Sequence, residues 1–311
     1  MSLDLPLVRG HVDAAVALRE SVAPVALVRA GEADVILVDG AGFVLLDEVE
    51  ASPSGAPVLR RLSGDEAVRA AEGGTASFIG VAQGRSVVAI EVSRDEAWGR
   101  WEHLRAVGWQ LDGDDAALAL TALALAGWHA NYRFCPRCGA PVQLVSGGWA
   151  ARCEVCDRLE YPRQDPAIIV LVEDHDGRVL LAHNPLWRPG FVSIIAGYVE
   201  AGESPDITVA REVAEEVGVD IETPTYVATQ PWPFGRSQMM GYRARTALPR
   251  PTPQADGVEI EWARFYSRDE LTRALDNGEI SAPGRASIAY ALLREWYGEE
   301  LPSGLDGEGR N

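Results

Sequence analysis

The sequence predicts an α/β protein whose C-terminal half forms a layered sandwich, preceded by a cysteine-containing segment and an α+β N-terminal region. In the C-terminal half, strand-like apolar runs stand before and after a segment of helical periodicity, and a second helical segment follows them. All four cysteines fall between residues 135 and 156. These features divide the chain into residues 1–130, 131–162 and 163–300, with a glycine- and acid-rich tail, 301–311, that we expect to be disordered.

Composition excludes several classes of protein. The chain has 311 residues and a formal charge of -18, and no apolar run reaches the length needed to span a membrane. The first residues lack the pattern of a secretion signal, so we expect a soluble cytoplasmic protein without a membrane partner. An acidic surface disfavours sequence-independent binding of nucleic acid. The sequence contains arginines but no lysine, which excludes a P-loop lysine and a Schiff-base lysine.

The N-terminal part mixes short apolar runs with turns and carries no catalytic constellation. We interpret it as an accessory or dimerisation domain. Its predicted elements are strands at Ala26–Arg29, Val35–Val38 and Phe43–Leu46, a hairpin of Ser77–Val81 and Val87–Val92 around Gln83–Arg85, and a helix at Asp114–Ala130.

The C-terminal part alternates strand-like runs with loops. A turn at Asp174–Gly177 joins the first two of these runs. The predicted strands are Ala167–Val172, Arg178–His183, Phe191–Ile195, Thr225–Thr229, Gln238–Ala244 and Ile260–Tyr266, and a helix follows at about Ala286–Trp296.

The cysteines follow the spacing Cys-x2-Cys-x14-Cys-x2-Cys, at Cys135, Cys138, Cys153 and Cys156. Two such pairs can supply four thiolates in a tetrahedron, which suits one Zn²⁺. Four protein ligands leave no open coordination position, so the spacing favours a structural zinc. Contact with nucleic acid is the alternative role, and the near balance of arginines and acids between residues 131 and 165 disfavours it.

A helix is predicted at Pro205–Val217. Ser204 offers a hydroxyl cap, Pro205 suits the first helical position, and Gly218 is a good stop. On this helix three glutamates, Glu212, Glu215 and Glu216, share one face, while Val209, Val213 and Val217 form an apolar stripe.

Carboxylates so close together repel one another unless a positive charge lies among them. Oxygen ligands suit hard cations such as Mg²⁺ and Mn²⁺, and Arg211 stands beside them to orient one. For Glu212, Glu215 and Glu216 considered alone, the alternative interpretation is an acidic helix face that is exposed to solvent. The longer string from Gly197 to Val219, with Glu203 and Arg211 at fixed offsets, favours the metal site.

The string Gly197–Val219 resembles the Nudix box, G-x5-E-x7-R-E-U-x-E-E-x-G-U, at every specified position. The array Gln230–Ser237 is similar to the S-Q-P-W-P-F-P-x-S motif of the NADH pyrophosphatase family, which also carries a four-cysteine zinc ribbon before its Nudix domain. Thr229 stands where that family has serine, and Gly235 where it has proline. A proline-rich surface loop is the alternative interpretation of the array.

The resemblance implies a Nudix α/β/α sandwich with a mixed sheet, and it implies roles for individual residues. Glu212, Glu216, Glu259 and the carbonyl of Ala196 would be ligands of two or three Mg²⁺ or Mn²⁺ ions. Glu215 would be a ligand or a water-orienting base. The implied substrate-binding residues are Arg105, Tyr161, Tyr198, Gln230, Pro231, Trp232, Pro233, Phe234, Gly235, Arg236, Ser237 and Ser287.

The implied reaction is hydrolysis of the pyrophosphate of NADH or NAD⁺ to NMN(H) and AMP, with NAD-capped RNA 5′ ends as a second substrate and a homodimer as the assembly. Two alternatives stay open. One is a Nudix hydrolase of another dinucleotide such as ADP-ribose, which the Gln-Pro-Trp-Pro-Phe array disfavours. The other is a non-catalytic ligand-sensing Nudix protein, which the intact box disfavours.

Overall fold

The computed structural model describes residues 3–47 and 55–302. The chain divides into two compact units. The N-terminal unit comprises the described parts of Pro6–Gln164 together with Trp232–Arg236, and the C-terminal unit those of Met1–Leu5, Asp165–Pro231 and Ser237–Asn311. Of the tail predicted to be disordered, Leu301 is buried in the core, which corrects that prediction at this residue, and residues 303–311 lie outside the described residues.

The N-terminal unit begins with an α+β region. Its elements are α1 (Pro24–Arg29), β1 (Ala33–Val38), β2 (Phe43–Leu46), α2 (Gly64–Gly73), β3 (Thr75–Ala82), β4 (Arg85–Glu91), β5 (Arg100–His103), α3 (Leu104–Val107) and α4 (Gly113–Asn131).

The strands of this region form one sheet in the order β3-β4-β1-β2-β5, in which only the β1–β4 pair is parallel among the described strands. The predicted hairpin is confirmed, since β3 and β4 pair antiparallel around Gln83 and Gly84. Both turn residues have positive φ, 52° and 77°, as a two-residue hairpin turn that follows the sheet twist requires.

The prediction of a strand at Ala26–Arg29 is wrong, because these residues belong to helix α1. A short apolar run does not distinguish a buried strand from a helix by its pattern alone. Here Pro24 occupies the first helical turn, where its fixed φ suits a helix, and Val28 is buried against the sheet core. The helix α4 is confirmed within one residue at each end.

The cysteine segment folds as a small antiparallel sheet. Its strands are β6 (Val142–Val145), β7 (Ala150–Cys153) and β8 (Leu159–Glu160), with β7 in the middle.

The C-terminal unit contains the other helices and strands. They are β9 (Asp165–Glu173), β10 (Val179–His183), β11 (Ile195–Tyr198), α5 (Pro205–Val217), β12 (Thr225–Trp232), β13 (Ser237–Arg245), β14 (Trp262–Tyr266), α6 (Arg268–Asp276) and α7 (Ile288–Tyr297).

The sheet of this unit is mixed, in the order β12-β13-β9-β10-β14, with β11 also paired to β9. Strand β13 is parallel to β9, whereas β10 and β11 are antiparallel to it. Alternate residues of β9 enter different cores: Ile168 and Val170 pack with α5, and Ile169 and Leu171 pack with α6 and α7. The predicted α/β/α sandwich with a mixed sheet is therefore confirmed.

Two predictions differ from this part of the structure. The strand expected at Phe191–Ile195 begins only at Ile195 and runs through Gly197 to Tyr198, because these residues pair with Ala167–Val170 of β9. Helix α6 was not predicted, although Ser267 and Glu270 form a capping box at its start.

In the part of the chain that the structure describes, no helix combines the length and the apolar character needed to cross a membrane.

Candidate functional site

Helix α5 has the predicted bounds. Pro205 lies in its first turn, and Gly218 ends it with a left-handed φ of 63°, which glycine adopts without a steric cost. Three side chains of this helix are fully buried beneath the sheet: Val209, Val213 and Val217. Their burial fixes the orientation of the helix on the sheet. The predicted cap is wrong: the Ser204 side chain makes no capping hydrogen bond.

The start of the helix is held instead by hydrogen bonds to the Glu203 side chain. Its carboxylate accepts hydrogen bonds from the Thr208 hydroxyl (2.7 Å) and from the Glu200 backbone N–H (3.2 Å). Arg211 donates to both of its oxygens, at 2.8 and 2.9 Å. These bonds, the one from Arg211 foremost, lower the pKa of Glu203 to about 2.

Arg211 also joins the helix to strand β11 and to the other glutamates. It donates to the carbonyl of Tyr198 at 3.1 Å and to the Glu215 carboxylate at 3.0 Å, and its Nη1 lies 3.0 Å from a Glu212 oxygen. One guanidinium thus contacts three carboxylates, whereas the sequence predicted that it would orient one.

The carboxylate of Glu212 is buried against Gly197 of strand β11. A Cβ placed on Gly197 would lie 2.0 Å from the Glu212 Cδ and from one of its oxygens. The backbone of Gly197 is not in the left-handed region, so this close approach is what demands a glycine here. Burial raises the pKa of Glu212, which Arg211 opposes.

Among the glutamates of this cluster, Glu216 has the pKa that is shifted furthest from its ordinary value. Its side chain is buried, and burial together with the charges of Glu212, Glu259, Asp256 and Glu215 raises its pKa to about 8. The structure therefore brings Glu259, from the segment before β14, into electrostatic range of the helix. Glu259 and Ala196 are themselves exposed.

This arrangement fits hard divalent cations. Carboxylate and carbonyl oxygens are the ligands that such ions prefer, and a cation would stabilise the charged form of Glu216, which burial and the neighbouring carboxylates disfavour. The oxygens are less tightly gathered than the sulfurs of the cysteine cluster, since among the described residues only the cysteines bring three or more ligand atoms so close together.

The four cysteine sulfurs lie within 4.8 Å of one another. The S···S distances are 3.4 Å for Cys138–Cys153, and 3.7 Å for Cys135–Cys156 and for Cys138–Cys156. A tetrahedron with Zn–S bonds of about 2.3 Å has edges of about 3.8 Å. The cluster has the dimensions of a closed Zn²⁺ site.

Each cysteine pair is shaped by its local backbone. After the first pair the chain reverses at Gly139, whose φ is 73°, and after the second at Asp157, whose φ is 55°. The backbone N–H groups of Cys156 and Val155 donate to the Cys153 sulfur, which lowers the pKa of this thiol to about 6 and favours the metal-binding thiolate.

The array Gln230–Ser237 is divided between the two units. In the C-terminal unit, Gln230 is fully buried and donates to the carbonyl of Ala286 at 3.1 Å, and the Ser237 hydroxyl lies 3.2 Å from that of the exposed Tyr198. Ser287 caps helix α7, accepting from the N–H of Tyr290 and donating to the carbonyl of Gly284. The hydroxyl of Ser287 thus has a structural use.

The remaining motif residues pack in the N-terminal unit. Pro233–Gly235 form a single 3-10 turn. The ring of Phe234 stacks on His103 at 5.0 Å, and the Arg105 guanidinium lies over Phe234 at 4.5 Å and over Trp232 at 5.5 Å. Burial lowers the pKa of Arg105, and its Nε has no hydrogen-bond partner among the described residues.

Gly42 completes this packing. A Cβ on Gly42 would lie 2.7 Å from the His103 ring and 3.0 Å from that of Phe234. Neither Gly42 nor His103 was predicted from the sequence, because no local pattern shows which residues pack on a distant loop. Tyr161, another proposed substrate contact, is exposed just after β8.

The mixed sheet between helices, with an Arg-Glu pair and two further glutamates on the helix that follows β11, defines a Nudix hydrolase. Family models agree: residues 163–299 match the NUDIX domain and residues 130–161 the NADH pyrophosphatase zinc ribbon domain. Residues 23–128 match the NADH pyrophosphatase-like rudimentary NUDIX domain. This Nudix-like character of the N-terminal region was not predicted from the sequence.

Similar curated proteins include the NAD-capped RNA hydrolase NudC of Stutzerimonas stutzeri, 41% identical over 68% of this chain and 73% of that protein. The NAD-capped RNA hydrolase NudC of Mycobacterium bovis is 38% identical over 62% and 64%. The mitochondrial NAD(P)H pyrophosphatase NUDT13 of Mus musculus is 36% identical over 65% and 60%. The chain belongs to the NADH pyrophosphatase family of Nudix hydrolases, and its cysteine cluster is the zinc ribbon of that family.

Proposed function

We propose that the protein hydrolyses the pyrophosphate of NADH and NAD⁺ to NMN(H) and AMP, and that it removes NAD caps from RNA 5′ ends. The observation that carries the proposal is the glutamate cluster of helix α5, ordered around Arg211 and completed by Glu259. The names of the relatives and of the matched zinc ribbon support the choice of NAD(H) over other dinucleotides.

In this proposal Glu212, Glu216, Glu259 and the carbonyl of Ala196 hold two or three Mg²⁺ or Mn²⁺ ions. Such ions supply neutralisation of the phosphate charge and acidification of water. Glu215 has a side chain that is 62% exposed and one oxygen held by Arg211, so it can orient the attacking water with the other oxygen.

For the substrate, Tyr198 offers an exposed ring for stacking a base, and Tyr161, Trp232 and Phe234 offer further aromatic surface. We assign the same role of substrate contact to Pro231, Pro233, Gly235 and Arg236 on the strength of the motif, and Arg105 would supply positive charge. For Gln230, Ser237 and Ser287, whose side chains make the contacts described above, we propose that they shape the binding surface.

The finer features of the protein are also proposals. We propose domain bounds of 1–130, 131–162 and 163–300 and a homodimer. We also propose a cytoplasmic location, where the reducing environment favours thiolates that bind zinc over disulfides.

The test is to incubate the purified protein and Mn²⁺ with NADH, ADP-ribose and NAD-capped RNA, and to identify the products by mass spectrometry. We expect NMNH and AMP from NADH, and 5′-monophosphate RNA from the capped RNA. Glu216→Gln should release neither, and Glu200→Gln, an exposed position nearby, should release both. Preferential cleavage of ADP-ribose would contradict the proposed substrate, and no cleavage of any of the three would contradict catalysis.

A further inference from the structure

Asp256 makes an unusual set of hydrogen bonds in the segment before strand β14. Its Oδ1 accepts the backbone N–H groups of Val258 (3.1 Å), Glu259 (3.1 Å) and Ile260 (2.9 Å), and its Oδ2 accepts that of Glu259 at 3.2 Å. The turn is closed by the N–H of Gly257, which donates to the carbonyl of Ile260 at 3.0 Å. One carboxylate therefore determines the backbone conformation at Glu259.

The backbone of the same segment is fastened to the end of helix α5. The N–H of Asp256 donates to the carbonyl of Glu216 at 3.1 Å, and the N–H of Gln254 donates to that of Val217 at 2.8 Å. Carbonyls in the last turn of a helix lack partners within the helix, so these bonds satisfy groups that would otherwise stay unpaired. Asp256 thus binds the Glu216 backbone through its own N–H and the Glu259 backbone through its side chain.

We propose that Asp256 is a positioning residue, whose carboxylate holds Glu259 in place beside Glu216 for binding of the divalent cation. The inference rests on the proposed role of Glu259 as a metal ligand. With three donors on Oδ1, that oxygen has no lone pair left for a metal ion. Oδ2 accepts only the shared N–H of Glu259, and we attribute the contribution of Asp256 to the geometry of its acceptor oxygens rather than to its negative charge.

Three substitutions separate geometry from charge. Asp256→Asn keeps an oxygen for the three N–H groups and removes the charge. Asp256→Glu keeps the charge but moves the oxygens by one methylene. Asp256→Ala removes both, and Asp256→Glu replaces it in the test if the alanine variant does not fold.

Binding of Mn²⁺ to the zinc-loaded protein is measured by electron paramagnetic resonance of the free ion, which needs no substrate or turnover. We expect Asp256→Ala and Asp256→Glu to weaken Mn²⁺ binding about 10-fold or more, and Asp256→Asn to stay within about threefold of the wild type. Equal weakening by Asp256→Asn and Asp256→Ala would overturn the proposal, as would unchanged binding in Asp256→Glu.

A double-mutant cycle with Glu259→Gln tests the route of the effect. If Asp256 acts through Glu259, Asp256→Glu has no further effect on Mn²⁺ binding once Glu259 is replaced. A persistent 10-fold effect in that background would overturn the positioning role. Since Mn²⁺ binding is measured without substrate, failure of NADH hydrolysis alone would count against the proposed function and leave this inference standing.

Discussion

The zinc ribbon and the glutamate cluster differ in how their ligand residues are distributed along the chain. In the ribbon, each pair of cysteines lies within four residues, and local turns at Gly139 and Asp157 bring the sulfurs together. The carboxylates come from helix α5 and the segment before β14, which are distant in sequence, and they stay apart. The closed sulfur site has the dimensions of a structural zinc site, whereas the open carboxylate site keeps an electrostatic repulsion that a bound cation can relieve.

The largest effect should follow from Cys153→Ser. Loss of one of four thiolates removes much of the zinc affinity, and zinc binding contributes directly to the stability of such small modules. We expect loss of zinc, measured by mass spectrometry, and a fall of at least about 4 kcal/mol in the free energy of unfolding. Val155→Ser, an exposed change in the same turn, should keep the zinc; a zinc-free Cys153→Ser of unchanged stability would contradict a structural role.

A smaller effect, on catalysis, is expected from Gly197→Ala. The new methyl group would lie 2.0 Å from the Glu212 carboxylate, which must then move. A displacement of about 1 Å at a catalytic group can cost about 100-fold, and we expect that loss in kcat/KM for NADH. Gly127→Ala, where a Cβ meets nothing within 4 Å, is the matched control. Wild-type kinetics for Gly197→Ala would refute the proposed placement of Glu212.

Glu216→Gln should stabilise the protein when Mg²⁺ and Mn²⁺ are withheld and zinc is retained. The pKa of Glu216 is about 8 in the folded state and about 4.3 in an unfolded chain, so ionisation opposes folding. The gain is absent below about pH 4.3, grows up to about pH 8 and is constant above.

Chemical unfolding at pH 8.5 should show a gain of about 2 kcal/mol for Glu216→Gln over the wild type, a value reduced for partial solvent screening. At pH 4.5 the two proteins should differ little. Glu200→Gln serves as the exposed control. A destabilised Glu216→Gln at pH 8.5 would contradict the unfavourable ionisation of Glu216, which burial and the neighbouring carboxylates cause.

The smallest effect is expected from His103→Ala in the N-terminal unit. Loss of the stack on Phe234 should raise KM for NADH by about 3- to 10-fold and leave kcat within about twofold, since a ring pair contributes about 0.5–1.5 kcal/mol. His103→Phe retains a ring and should behave as the wild type. A change in kcat without a change in KM would contradict a role of His103 in holding the array Gln230–Ser237 for substrate binding.

Sequence prediction succeeded where short-range physics decides the structure. Helix α5 could be bounded at Pro205 and Gly218 because proline and glycine act on their own backbone. The capping box of Ser267 and Glu270 was also visible in the sequence, so helix α6 could have been found. Helix α1 was mistaken for a strand because a short run with three apolar residues fits either element.

The tertiary part of the site could not be predicted in the same way. Nothing in the sequence near Asp256 shows that its N–H would bind the carbonyl of Glu216, 40 positions earlier in the chain. The Ser204 cap failed for a related reason, since Glu203 and Arg211 organise that turn through side chains. Resemblance to the family supplied Glu259, which spacing alone does not connect with helix α5.

We propose that the cysteines form a structural zinc site and the glutamates a separate catalytic site. The most direct test of this proposal measures zinc content and NADH hydrolysis in one sample of Glu216→Gln saturated with Mn²⁺. The account predicts one zinc per chain, as in the wild type, together with a loss of at least about 1,000-fold in kcat, equivalent to about 4 kcal/mol. Substantial hydrolysis by this variant, or loss of its zinc, would contradict the separation of a structural sulfur site from a catalytic carboxylate site.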